Sequence, residues 1–326
     1  MERLVILGNS PAGVKAIEEL RARSYPGEIV LLSSEEFYPY PRDCLSGFLA
    51  KEIKEDRLFC QRPDFYEKNR VEVILGQTLD KINLKKKRLV TDQKQELVYD
   101  YLFIADFSSR RLPPIKGANK QGVFTAATLT EAKSILKALP LVETIVMETT
   151  TPRGLSLAHA FKIHDKEVIV VTPARHLLPG WVDEPMALII QKLLEGQGLR
   201  VICDSAIGEL LGDADVKALR LKSGKVLASQ MVIFPDAKPD LKLFSDSGLQ
   251  FQNEEVLAVD ESLRTSIEGV YALGQAVSLK EQEFEEQGRV VARQILGENA
   301  QFQPPYPDIT IKLGSIPVSF LGKTMS

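Results

Sequence analysis

The feature that most constrains this chain is a six-residue glycine turn, Gly8-Asn9-Ser10-Pro11-Ala12-Gly13. It lies between an apolar run, Leu4-Val5-Ile6-Leu7, and an amphipathic stretch over residues 14–23. The pattern predicts a strand, a tight turn and a helix. A second apolar run, Ile29-Val30-Leu31-Leu32, ends in Ser33-Ser34-Glu35-Glu36. It places an acidic pair roughly twenty residues beyond the turn, the spacing of a unit that holds an adenine dinucleotide. Glycine lets the backbone crowd a pyrophosphate, the start of the helix offers free N–H groups, and a carboxylate takes the ribose hydroxyls. Gly8, Ser10, Pro11, Ala12 and Gly13 are therefore the expected phosphate cradle, and Glu35 or Glu36 the expected ribose acid. Ser10 stands where such a turn usually has its second glycine. Its side chain narrows the approach without closing it, and its hydroxyl can donate to phosphate.

With 326 residues, 44% of them hydrophobic, the chain is long enough for two domains of ordinary size. The net charge is -3 and the basic residues are scattered. The one basic run, Lys85-Lys86-Lys87-Arg88, reads as a solvated turn between strands, and no nucleic-acid partner is expected. The amino terminus enters a strand without a charged leader, long apolar segment or cleavage site, which predicts a cytoplasmic protein with no membrane span. Cys44, Cys60 and Cys203 form no C-x-x-C pair and read as free thiols. His159, His164 and His176 do not group with acids or cysteines at ligand spacing, so no metal site is expected and structural roles are the default.

Short strands are expected over 71–75, 88–91 and 97–104, as a small antiparallel insertion, and residues 110–117 read as a linker. Residues 141–148, 153–163 and 167–171 repeat the strand, helix, strand order of the first unit. Their turn, however, is Thr149-Thr150-Thr151-Pro152-Arg153-Gly154, with only the last glycine kept. Threonine is β-branched and suits neither the dihedrals nor the close phosphate approach of such a turn. Thr172-Pro173 follows the second strand in place of an acid. Arg153 and Arg175 are read as surface charges, although either could meet phosphate in another geometry. A helix over 183–197 carries Met186, Ile189, Ile190, Leu193 and Leu194 at helical spacing, which reads as a core stripe. Strands over 200–203, 216–221 and 226–234 close the second domain, and 256–260, 269–274 and the helix 284–296 return to the first.

The order of these pieces resembles the FAD-dependent pyridine nucleotide-disulfide oxidoreductases, especially the NADH:rubredoxin reductase and nitrite reductase flavin-domain branch. The resemblance covers nearly the whole chain. It rests on the glycine turn, Pro39-Tyr40-Pro41-Arg42-Asp43-Cys44-Leu45-Ser46, Tyr99-Asp100-Tyr101-Leu102, the segment 259–266, Gly269 to Gln275, and Glu286-Gln287-Gly288-Arg289. It implies an α/β fold of two Rossmann-like dinucleotide-binding domains. An FAD domain over 1–112 and 235–302 is interrupted by an NAD(P)H-type domain over 113–234, and 303–326 resembles only the opening of the family's interface domain. An incomplete interface domain would leave strand edges that want a partner, so a redox partner protein or larger complex is expected and the usual homodimer is left open.

The resemblance also assigns roles. Ala105, Gly274 and Gln275 would meet the flavin nucleotide, Arg42 would tune the flavin ring as a fixed cation, and Cys44 lies in the region where disulfide-reductase cousins carry a redox thiol, but at a variable position of the segment, where a buried free thiol is the alternative. The departures are specific. Ala105-Asp106-Phe107 stands where the family has Ala-Thr-Gly, and Gln275 replaces an aspartate at the ribityl chain. Ser156 replaces a glutamate, and the second turn has lost its glycines. FAD is the expected cofactor, and NAD(P)H binding in the usual pose is expected to be impaired. The leading reading is an FAD-dependent oxidoreductase that passes electrons between flavin and a protein partner or another reductant. The alternatives are a degenerate flavoprotein scaffold with a structural or regulatory role, and an NAD(P)H-dependent FAD reductase.

Overall fold

The computed structural model describes every residue except 107–109, 254–255, 278–283, 304–307, 314–315 and 322–326, and for 275, 308, 309, 311–313, 320 and 321 it describes the backbone alone. The chain divides into two compact units. The first comprises Met1–Arg42, Asp56–Arg111 and Lys238–Pro305, the second Asp43–Glu55, Leu112–Ala237 and Tyr306–Ser326. Asp43–Glu55, with its short helix Cys44–Leu49, thus groups with the second unit although the sequence reads as one stretch to residue 112.

In the first unit five parallel strands lie in the order Val270–Ala272, Tyr101–Ile104, Arg3–Leu7, Glu28–Leu32, Val71–Ile74. Strand alternation sends Leu4 and Ile6 into a core with the helices Pro11–Ala22 and Phe284–Ile295, while Val5 and Leu7 face Leu84, Leu89 and Leu97. Both faces are covered, which is why these strands read as continuous apolar runs. Each fully buried Leu, Ile or Val side chain contributes about 1.5–3 kcal/mol. The antiparallel insertion is Leu79–Asn83, Arg88–Thr91, Glu96–Val98, with the basic run at its first turn. Two details differ from the sequence reading. The strand Val71–Ile74 belongs to the parallel sheet, and 97–104 breaks into two strands at Tyr99-Asp100, where the Asp100 carboxylate accepts from the Arg3 amide at 2.7 Å.

The second unit repeats the plan in the order Arg200–Ile202, Glu167–Val171, Thr144–Glu148, Met231–Ile233, Val123–Phe124, again all parallel. Against it packs an antiparallel sheet of Ile207–Leu211, Ala218–Leu221 and Val226–Ala228. The strand Ile207–Leu211 escapes a sequence reading because Gly208 and Glu209 dilute its apolar pattern. The expected strand 226–234 is two, separated at Ser229, whose hydroxyl donates to the carbonyls of Thr144 and Met231. The helix Glu184–Gly196 starts at Asp183, whose carboxylate accepts from the Met186 amide at 3.0 Å. The expected core stripe on this helix is corrected: Ala187, Ile190 and Leu194 are buried, whereas Met186 and Ile189 are 46% and 61% exposed. The buried face runs one position later than the apolar spacing suggests. Residues Asp308–Leu313 and Ile316–Leu321 pair as an antiparallel hairpin. Among the described residues no helix is long and apolar enough to cross a membrane.

Candidate functional site

Each parallel sheet ends in a strand-to-helix turn at its carboxyl edge, the place where open α/β sheets receive ligands. The two turns are filled differently.

In the first, Gly8 has φ +110°, and a Cβ there would lie 2.3 Å from the backbone oxygen of Asp106. Only glycine fits. Pro11 opens the helix, where a missing N–H costs nothing, and Ser10 precedes it in an extended conformation. Ala12 and Gly13 lie in the first helical turn and are buried. The Ser10 hydroxyl donates to the Ala105 carbonyl at 3.0 Å and ties the turn to the neighbouring strand. Ala105 and Asp106 both donate their amides to the Leu7 carbonyl, so both sit on the glycine turn. Asn9 is fully buried, and neither atom of its amide group finds a hydrogen-bond partner among the described residues. Buried amides of that kind are rare without a ligand or water.

Beside this turn lies a cavity of about 220 Å³ lined by Leu7, Gly8, Leu32 and Gln77 among others, with Asp106 and Asp240 as the charged residues among the described ones. Of the acidic pair, Glu36 is exposed and Glu35 buried. Glu35 accepts from the Tyr40 hydroxyl and, at 3.2 Å, from Arg42 Nη2. Arg42, which lies beside the Tyr40 ring, reaches Asp106 Oδ2 through Nε at 2.7 Å and Nη2 at 2.6 Å. Arg110 Nη2 stands 3.9 Å from the other Asp106 oxygen. All four charged side chains are 4% exposed or less. A buried pair of this kind costs about 3–5 kcal/mol to break by removing one partner.

The second turn holds its own anion. The Asp236 carboxylate accepts from the Thr149 hydroxyl at 3.0 Å, the Thr150 amide at 2.6 Å, the Thr150 hydroxyl at 3.0 Å and the Thr151 hydroxyl at 2.7 Å. Thr151 is also the N-cap of the helix Pro152–Lys162, accepting from the Gly154 amide at 3.2 Å. The start of the helix, the position that binds a phosphate in a glycine turn, thus passes its polarity through Thr151 to a carboxylate of the same chain. Gly154 is kept for space: a Cβ there would lie 1.8 Å from the Thr149 hydroxyl oxygen. Arg153 is not a free surface charge. It donates to the carbonyls of Pro235 and Ala126 and holds the segment that carries Asp236, whereas Arg175 is exposed. Next to the cradle, burial and then the Asp236 charge push the Glu148 carboxyl above its ordinary range, against the lowering effects of the Ile207 amide and Lys222.

The remaining sequence candidates are scattered. Cys44 opens a short helix in the second unit, and burial, then Asp43, push its thiol up, which disfavours a nucleophilic thiolate. Cys60 and Cys203, like Cys44, take part in no disulfide. His164 bonds the Leu49 carbonyl at 2.6 Å and His176 the Leu177 carbonyl at 2.9 Å. Gly274 closes the first sheet with φ +69° and donates its amide to the buried Gln287 side chain. The side chain of Gln275 and residue Phe107 lie outside the described residues. Among the described residues no cluster of three or more His, Cys, Asp and Glu could hold a metal ion. The sequence pointed to Glu35 and Arg42, and to Asp106 as a departure, but not to their mutual pairing. It missed Asp236, whose only signal was a charged residue closing an apolar strand.

The family described as pyridine nucleotide-disulphide oxidoreductase matches residues 2–294. The chain is 28% identical to an NADH oxidase of Methanocaldococcus jannaschii, over 99% of this chain and 76% of that protein. It is 26% identical to the assimilatory nitrate reductase electron transfer subunit of Bacillus subtilis, spanning 99% of this chain but 43% of that protein. Among solved structures, the covalent putidaredoxin reductase-putidaredoxin complex superposes with a TM-score of 0.87 at 21% identity, over 99% of this chain and 81% of that one. That likeness shows a shared fold.

Proposed function

The chain belongs to the pyridine nucleotide-disulphide oxidoreductase family, whose members are FAD-dependent oxidoreductases, and from that premise we propose that it transfers electrons between an FAD held by its first unit and a protein partner or a reductant other than NAD(P)H in the usual pose. The observation that carries this reading is the difference between the two turns. Gly8 keeps the strained backbone of a dinucleotide cradle, with the orphaned Asn9 amide and a cavity beside it, while the second turn spends its donors on Asp236.

The glycine turn at Gly8, the buried Asn9 amide and the nearby cavity support FAD in the first unit. Gly8, Ser10, Pro11, Ala12 and Gly13 would carry the pyrophosphate on the backbone and the start of the helix, and Glu35 or Glu36 would meet the ribose. Ala105, Gly274 and Gln275 would border the flavin nucleotide. When bound, the flavin supplies the electron chemistry. The protein's own work is to bind and orient it. Arg42, read from the sequence as a cation beside the ring, has its charge met by Glu35 and Asp106, so any effect on the flavin acts through that buried set. In the second unit, a dinucleotide phosphate would have to displace Asp236 from three hydroxyls and an amide, beside the carboxyl of Glu148. Charge-assisted hydrogen bonds are worth about 1.5–3 kcal/mol each. A protein redox partner is supported by the putidaredoxin reductase relative, whose solved form is a complex with putidaredoxin.

The visible absorption spectrum of the purified chain, before and after denaturation, tests the flavin. Bands near one equivalent per chain support the proposal. A chain that stays colourless after incubation with FAD favours the second reading, a scaffold in which Asp106 and Glu35 have closed the first cradle on Arg42.

A further inference from the structure

We propose that Asp106 is an internal competitor for the phosphates of the dinucleotide at Arg42, so that the first cradle recognises the adenosine end and discriminates against the charge that follows it. The inference rests on the reading that this cradle takes FAD, and it makes that FAD an exchangeable ligand rather than a permanently held group.

Three observations carry it. Asp106 sits directly on the glycine turn, its amide on the Leu7 carbonyl and its backbone oxygen against Gly8, at the carboxyl edge of the parallel strands where dinucleotide phosphates lie. Its carboxylate takes Arg42 through two guanidinium nitrogens at 2.6 and 2.7 Å, with Arg110 3.9 Å away, so both of these cations already face a carboxylate. Among the described residues, the charged ones lining the cavity beside Gly8 are Asp106 and Asp240, with no Lys or Arg. A group that brings two negative charges meets two acidic residues at that wall, while a neutral purine with amino and ring nitrogens meets Leu7, Leu32, Gln77 and Thr78. For a phosphate to reach Arg42, Asp106 must give up its bonds in a setting that is nearly closed to water. The ordinary gain of a guanidinium on a phosphate is largely cancelled by that exchange. Asp106→Asn keeps the shape and an acceptor oxygen for Arg42 while removing the competing charge.

The test compares adenosine with ADP, and then FAD, on the flavin-free full chain, with binding read by ligand NMR and flavin fluorescence. On the wild-type chain ADP binds within about threefold of adenosine, while on Asp106→Asn ADP and FAD each gain about tenfold or more and adenosine does not change. A wild-type chain that binds ADP more than about tenfold tighter than adenosine overturns the proposal, even if the variant fails to fold. So does an Asp106→Asn chain that binds FAD no tighter than wild type; in either case the flavin reading stands. A wild-type chain that binds none of the three ligands, with an Asp106→Asn chain equally inert, overturns the proposal together with the flavin reading.

Discussion

The two strand-to-helix turns of this chain began from one architectural plan and have solved the problem of the exposed helix start in opposite ways. The first keeps glycine at the strained position next to a cavity, and its fully buried Asn9 amide has no hydrogen-bond partner among the described residues. The second replaces glycine with three threonines and brings Asp236, 85 residues away from Thr151, onto their hydroxyls. An anion site at a helix start therefore has two stable states: a backbone cradle that waits for a ligand, or a side-chain cradle satisfied from within. Glycine content decides which is open. Asp106 on Arg42 places the first cradle between these states, because a carboxylate has arrived there too while the turn itself has stayed glycine-like.

The sharpest way to break this comparison is to add one methyl group to each turn. Gly8→Ala meets the Asp106 backbone at a positive φ and loses about 3 kcal/mol or more, with no side-chain change able to relieve it. Gly154→Ala meets only atoms of Thr149 among its three nearest, so Thr149→Gly restores most of its loss. Chemical denaturation of the four proteins checks both statements, and rescue of Gly8→Ala by any neighbour would remove the distinction.

Next in size is the loss of the internal anion. Asp236→Ala leaves three threonine hydroxyls and the Thr150 amide without their acceptor and costs about 2–3 kcal/mol in the same assay. Combined with Thr149→Gly and Thr151→Gly, the triple variant is less stable than wild type but gains NADH binding, measured by calorimetry. A stable Asp236→Ala chain would mean that the carboxylate is incidental to the turn.

A smaller effect concerns Glu148. Its carboxyl is held above the ordinary value by burial, so the folded state favours the protonated form. Its contribution to stability is complete below the ordinary carboxylate range and is lost as pH rises through the raised folded value. Glu148→Gln flattens that decline, which melting temperatures across the acid range would register. The smallest expected effect is at Cys44, whose thiol is pushed up by burial and by Asp43. It alkylates more slowly at neutral pH than a free thiol does, and a fast, low-pH reaction would return it to candidacy as a redox group.

How much of this was legible depends on sequence distance. The first turn, its flanking strands and the acid after the second strand are local, and Gly8, Pro11 and Glu35 stand where the spacing puts them. The missing glycines at Thr149 and Thr151 were equally legible as a loss. What replaced them was not, because the hydroxyl–carboxylate contacts join residues 85 to 87 positions apart. The same holds for Arg42 and Asp106, 64 positions apart, each noticeable alone and neither predicting the other. The stripe on the helix Glu184–Gly196 holds at Ile190 and Leu194 and misses at Met186 and Ile189 for another reason: apolar spacing gives the face of a helix to within about one residue, and those two fall on the exposed side of that margin.

The central claim is that this chain keeps a flavin cradle and has closed its nicotinamide cradle with Asp236. The direct test is the visible flavin band of the FAD-loaded, wild-type chain on anaerobic addition of NADH. The account predicts that the band persists with NADH and bleaches with dithionite. Prompt bleaching by NADH at stoichiometric amounts would show that the nucleotide reaches the flavin past Asp236 and would contradict it.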